Sequence, residues 1–248
     1  MDGSIYQRLR EKAVTTAERL GLPSFYAEHR SELEISSASF SRSELLRCCR
    51  ARIDETRLHP AHGLPHCEKV AIEAGALLLV ENAVNSGAGT EELLLCVQIA
   101  GLLHDITRTG KEHSITGSIE AERILEDFEI EKRHTRYISA AIRNHEAFKE
   151  VLRSEDESAR LVSDALYDAD KFRWGPDNFT TTLWLMVKAS GTSSRTLHCS
   201  FKEKMAGIRR IKDTFRSETG KRYGPEFIDF GIEIGNEIYA EMERMIRD

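Results

Sequence analysis

The chain has 248 residues, 40% of them hydrophobic and 31% charged, with a formal net charge of −6. That mix suits a folded core in water, and the negative balance is a poor match to an extended nucleic-acid face, whose affinity comes from neutralising phosphates. No apolar run approaches the roughly 18 residues of a membrane-spanning helix. No apolar leader follows Met1-Asp2-Gly3-Ser4, and the five cysteines form no CxxC pair, so a cytoplasmic chain with free thiols is expected.

Helical spacing runs through the sequence. Ile5, Leu9, Ala13 and Ala17 recur about once per turn and predict a first helix ended by Gly21-Leu22-Pro23. Ser43 to Leu58 predicts another, and Pro60 to Pro65 a loop. A third helix carries His66, Val70, Ala74, Leu77 and Leu78 and fades over residues 85–89. Thr90, followed by Glu91 and Glu92, reads as an N-cap with acids in the first turn. Leu93 to Leu103 is apolar almost all round, which predicts a buried central helix. After a loop at Thr107 to Lys111, helices are expected over Ser114 to Phe128, Thr135 to Phe148, Ala159 to Ala169, Phe179 to Ala189, Phe201 to Phe215 and Pro225 to Met245. No alternating strand pattern and no repeat interrupts them, so the expected fold class is all-α.

The central helix ends at His104-Asp105. Burying that imidazole and carboxylate without partners costs several kcal/mol, so partners are demanded, either in a structural ion pair or in a functional site. His66 opens its helix with Val70 and Ala74 at i+4 and i+8, and so projects toward the same core. His62 stands four residues earlier, in the loop bounded by Pro60 and Pro65.

Three segments, His66-Cys67-Glu68-Lys69-Val70, Gly101-Leu102-Leu103-His104-Asp105-Ile106 and Tyr167-Asp168-Ala169-Asp170-Lys171-Phe172, resemble the HD-domain metal-dependent phosphohydrolases. The resemblance implies a helical bundle with its core at about residues 58–175. A helical extension (1–57) and a C-terminal helical region (176–248) then complete one domain over 1–248. It implies that His66, His104, Asp105 and Asp170 bind one divalent metal. Asp170 is preferred to Asp168 because the family sets its ligand as the second acid of Asp-x-Asp-Lys/Arg; Asp168 then faces elsewhere, as an outer partner of a histidine. His113-Ser114-Ile115-Thr116-Gly117 and Ala141-Ile142-Arg143-Asn144-His145 resemble the patterns of members that hold a second ion. In that case Asp105 bridges, and His113 and His145 bind the second metal. With one metal, His113 and His145 contact the phosphate or act as general acid.

Imidazole and carboxylate ligands suit Fe, Mn, Ni, Co, Zn or Mg, and the lack of a thiolate argues against a closed structural zinc site. Such a centre activates water and neutralises phosphate charge. Asp105 and His113 are the expected catalytic residues. Arg108, Lys111, Lys171 and His62 are candidate phosphate contacts, each with a solvated surface charge as the alternative. Trp174 could wall the substrate, whereas Trp184 reads as core. His29, His59, His134 and His198 read as surface residues, and the basic run at 202–212 as a solvated helix face. The expected reaction is hydrolysis of a phosphomonoester or phosphodiester, in the first place a small nucleotide. A di-iron oxygenase on the same ligands and a non-catalytic metal-bound nucleotide sensor are the alternatives. No membrane or extended nucleic-acid partner is expected, and a homodimer is left open.

Overall fold

The computed structural model describes residues 2–84 and 89–247, so the expected fading of the third helix at 85–88 lies outside the described residues. Among the described residues the fold is all-α, without a strand. In chain order the helices are α1 (Asp2–Leu20), α2 (Ser24–Glu28), α3 (Arg30–Arg42), α4 (Glu44–Ala51), α5 (Leu64–Val84), α6 (Thr90–Leu103), α7 (His113–Leu125), α8 (Lys132–Arg143), α9 (Glu157–Phe172), α10 (Leu183–Ser190), α11 (Ser194–Ile211) and α12 (Glu218–Arg247).

Apolar α6 is the centre of the bundle: every residue from Leu93 to Leu103 except Leu95 is buried. It packs along α5 and is flanked by α8 and α9, while α7 lies on α8. α1 and α11 pack on α12, which in turn reaches α9 and α5. The closest approach of α5 and α6 requires Gly101, since a Cβ there would stand 2.5 Å from Ala71 Cα.

Several elements depart from the sequence pattern. The expected helix over Ser43 to Leu58 ends at Ala51. Asp54 Oδ1 then accepts hydrogen bonds from the Thr56 backbone N–H at 3.1 Å and the Thr56 hydroxyl at 2.6 Å, a local turn that competes with helix. Residues 24–42, where the sequence pattern predicts no helix, form α2 and α3. Serine-rich α3 carries little helical signal of its own, and it is held by tertiary bonds: Ser36 donates to Ile72 O at 2.7 Å and Gln98 Nε2 donates to Ser36 O at 2.8 Å. Gln98, the one polar residue in the apolar run of α6, is thereby explained.

At Thr90 the cap position belongs to Gly89, in the left-handed region at φ 66°. The helix expected to reach Phe148 stops at Arg143, and Phe148 has φ 63°. α12 begins at Glu218, seven residues before Pro225, for a reason that lies in α9. His29 is also more buried than a surface residue, with its ring 5.1 Å from Tyr223 and 5.2 Å from Phe25. His198 pairs with Glu243 at 2.6 Å and stacks on Tyr239.

Because the Gly101 contact is backbone against backbone, Gly101→Ala is expected to force α5 and α6 apart. Urea unfolding should show a loss of about 2–3 kcal/mol, as for overpacking at a tight core contact.

Candidate metal centre

Six side chains converge where the ends of five helices meet. His66 lies in the first turn of α5, His104 and Asp105 directly follow α6, His113 opens α7, His145 follows α8 by two residues, and Asp170 sits in the last turn of α9. His104, Asp105 and His145 are 0%, 2% and 1% exposed. The edge that solvent reaches is made by His66, His113, His62 and Arg108, whose side chains are 10%, 12%, 17% and 31% exposed.

The two deepest histidines are oriented alike. His104 Nδ1 stands 2.8 Å from Gly101 O, and His145 Nδ1 stands 2.6 Å from Ile142 O. Each carbonyl lies in the last turn of a helix and can only accept, so each Nδ1 carries the proton and donates it. Both Nε2 atoms then face inward. His104 Nε2 lies 3.3 Å from His66 Nε2, and His145 Nε2 lies 3.2 Å from His113 Nε2. Neutral imidazoles cannot present lone pairs to one another at that distance without a proton or a cation between them.

Asp105 stands between the two histidine pairs. Its Oδ2 is 3.0 Å from His62 Nδ1, 3.4 Å from His104 Nε2 and 3.8 Å from His66 Nε2. Its Oδ1 is 3.4 Å from His145 Nε2 and 3.6 Å from His113 Nε2 and from Arg108 Nη1. That Oδ1 is buried yet makes no hydrogen bond, and the 3.0 Å approach of His62 Nδ1 also lacks hydrogen-bond geometry. Asp170 Oδ1 closes the first group, 3.5 Å from His66 Nε2 and 3.8 Å from His104 Nε2.

Electrostatics follow from burial. Desolvation opposes charge on both carboxylates, yet His104 holds Asp105, and Lys171 holds Asp170, well below the usual carboxylate range. Burial pushes His66 down to about 4, and burial together with Arg108 does the same to His113. Both are therefore neutral, ligand-competent imidazoles near pH 7. His62–His66–Asp105, His66–His104–Asp170 and His104–Asp105–His145 each bring three donor atoms within 4.8 Å of one another. The residues present fit a divalent cation: all ligand atoms are nitrogen or carboxylate oxygen, the inward Nε2 lone pairs of His104 and His145 meet only other imidazoles and carboxylates, and a buried anionic oxygen lacks a partner.

The flanking candidates separate. Arg108 is at the centre, with its guanidinium in contact with His113 Nε2. Lys171 is buried at 3% exposure, with its Nζ 2.5 Å from Asp170 Oδ2, so it holds the ligand and does not face the opening. Lys111 is exposed, and no hydrogen bond or ion pair ties it to the cluster. Trp174 is half-buried against the core.

Asp168 does not back a histidine. Its Oδ1 accepts from Arg216 N at 2.8 Å, and its Oδ2 accepts from Ser217 N at 2.8 Å and Ser217 Oγ at 2.6 Å. It thus clamps the turn that starts α12, and this is why that helix begins before Pro225. Gly220 lets the carboxylate in, as a Cβ there would stand 2.0 Å from Asp168 Oδ2.

One participant escaped sequence reasoning. Glu146 Oε1 accepts from Ser114 Oγ at 2.7 Å and stands 3.5 Å from His113 Nδ1, behind that ring. Its place directly after His145 was the only signal.

Residues 64–172 match the family model of the HD domain. This segment is an HD domain. It contains all six clustered residues, whereas His62 lies two positions outside the match. HD domains are typically metal-dependent phosphohydrolases. No curated protein and no solved structure matches the chain.

The two aspartates of the HD domain's last motif should separate by assay. Asp168→Ala is expected to cost about 3 kcal/mol in chemical denaturation, the loss of a buried acceptor with several donors, while the folded fraction keeps its metal. Asp170→Ala should instead lower the metal bound by the folded fraction, read by elemental analysis, and it also costs stability because it strands the buried Lys171 ammonium.

Proposed function

We propose that the protein hydrolyses a phosphomonoester or phosphodiester of a small nucleotide at a dinuclear centre. The reading rests above all on Asp105, a single buried carboxylate whose two oxygens face separate donor groups. His66, His104 and Asp170 gather on the side of Oδ2, and His113 and His145 on the side of Oδ1. Each group would hold one divalent cation, with Fe, Mn, Ni, Co, Zn and Mg the candidates. A bound cation supplies Lewis acidity to the phosphoryl oxygens and lowers the pKa of water at the site.

The protein's own groups carry the remaining work. Arg108, at the exposed edge, presents planar N–H donors suited to two phosphate oxygens at once. His62 lies on the same edge, on the side of Asp105 Oδ2, and can donate to the ester. Lys111, on the exposed loop between Asp105 and His113, is a flexible ammonium within chain reach of a bound phosphate. Lys171 serves by neutralising and fixing Asp170. His113, pushed down to about 4, is unprotonated near pH 7. A ligand role therefore suits it better than that of general acid, and Glu146 behind the ring fixes its orientation.

Purified protein is expected to contain about two chelatable ions per chain and to cleave a member of a nucleotide and phosphoester panel. His104→Ala and Asp105→Ala should lose metal and at least about a thousandfold in kcat/KM, since they remove the groups that charge stabilisation depends on. His145→Ala should retain about one ion. Unchanged metal content and turnover in the first two variants would defeat the proposal. Oxygen consumption coupled to product would replace hydrolysis with di-iron oxygenase chemistry, and tight nucleotide binding with no product would leave a sensor.

A further inference from the structure

A second cavity, of about 400 Å3, lies between the segment after α8, the outer face of α9 and the turn into α12. Lys149, Arg153, Arg160, Arg216 and Lys221 line it, against one acid, Asp164. In a chain of net charge −6 this is a local concentration of positive charge. None of the clustered residues of the metal centre lines it.

Arg216 sets this cavity apart from an ordinary basic surface. Its Nη1 is buried and has no hydrogen-bond partner. Leaving a charged donor unsatisfied is costly, and native proteins keep such groups where a ligand or water completes them. The guanidinium lies over the Tyr167 ring, 3.5 Å from its centroid. Its backbone is fixed by the 2.8 Å bond from Arg216 N to Asp168.

The opposite wall is fixed as well. Asn144 Nδ2 donates to Leu152 O at 3.0 Å, and Asn144 Oδ1 accepts from Leu152 N at 3.0 Å, which pins the loop that carries Lys149 and Arg153. Not every cation is free to bind. Arg160 Nη1 is committed to Ser154 O and Glu155 O, and Lys221 Nζ to Glu218 at 2.6 Å. Arg216 at the base and Arg153 and Lys149 at the exposed rim remain as donors.

We propose that this cavity is a second binding site, separate from the metal centre, for the phosphate groups of a small ligand, with the half-buried Arg216 as its anchor. Phosphate oxygens, several and charged, satisfy a half-buried guanidinium and two rim cations together. Phe148, exposed in the wall, offers a ring face to whatever carries the phosphate. The site adjoins the metal centre through one side chain. The Tyr167 ring lies between Arg216 Cζ at 3.5 Å and Lys171 Nζ at 4.9 Å, and Lys171 holds Asp170.

Binding of orthophosphate, pyrophosphate and ATP to the full chain, measured by calorimetry, tests the site. Asp105→Asn serves as the parent, to remove binding at the metal centre. Saturable binding of at least one probe is expected, weakened at least about tenfold by Arg216→Gln and by the exposed-rim variant Arg153→Glu, with the fold of each checked by circular dichroism. Pyrophosphate binding as tightly as ATP would place recognition in the phosphates alone. ATP binding alone would add the Phe148 ring. No saturable binding in Asp105→Asn, or binding unchanged in both folded arginine variants, would overturn the proposal. Because binding is read in a chain with an impaired metal centre, the result is independent of whether the protein is a hydrolase.

Discussion

A carboxylate that is 2% exposed at the end of an apolar helix sets the terms for everything around it. An isolated buried charge of this kind is not tolerated, so positive or proton-bearing groups must reach it from neighbouring elements. Five histidines and Arg108 do so, and they come from or beside α5, α6, α7 and α8. The ends of those helices meet at one point because Asp105 is there. The two oxygens divide the partners into two groups, and that division underlies a two-ion reading where a symmetric cluster would suggest one.

The bundle reuses its own loose ends to aim the ligands. The last carbonyls of a helix lack intrahelical donors, and in α6 and α8 one of them accepts the Nδ1 proton of the histidine three residues on, His104 and His145 respectively. Two needs are met by one bond: the helix end is satisfied and Nε2 is turned inward. Gly101 carries a further burden. Its carbonyl orients His104, while its missing Cβ lets Ala71 of α5 approach. The spacing that puts His66 within 3.3 Å of His104 is thus tied to the residue that aims His104.

Much of this was legible in the sequence, and the unread parts share a cause. The apolar run of α6 and the motif histidines are local patterns, and the structure brings all six expected ligands together. The missed features depend on distant partners. α3 is held through Ser36 and Gln98, which are 62 residues apart and lack the apolar periodicity that marks a helix. The start of α12 is set by Asp168, 49 residues before Ser217. Lys171 reads as a phosphate contact or a solvated surface charge until α9 is seen to bury it with Asp170. Glu146 backs His113 only because α7 and α8 lie side by side.

Alternation along α9 shows how one helix can serve two structures. Asp168 and Asp170, two residues apart, point to different sides, the first to the α12 turn and the second to the metal centre. Their register against α5 needs a lock, and a buried network one turn further along provides it. Arg173 pairs with Glu73 and Asp177, and its Nη2 donates to Tyr26 at 2.9 Å. Lys69 reaches Asp177 at 2.7 Å. Arg173 follows Asp170 by three residues, and Lys69 follows His66 by three. Buried ion pairs contribute little net stability, and their best-attested use is to fix register. A slip of α9 by one turn would cost the Arg173–Glu73 pair as well as the 3.5 Å meeting of His66 and Asp170. The charged network therefore keeps the ligands of two helices in step without touching the centre itself.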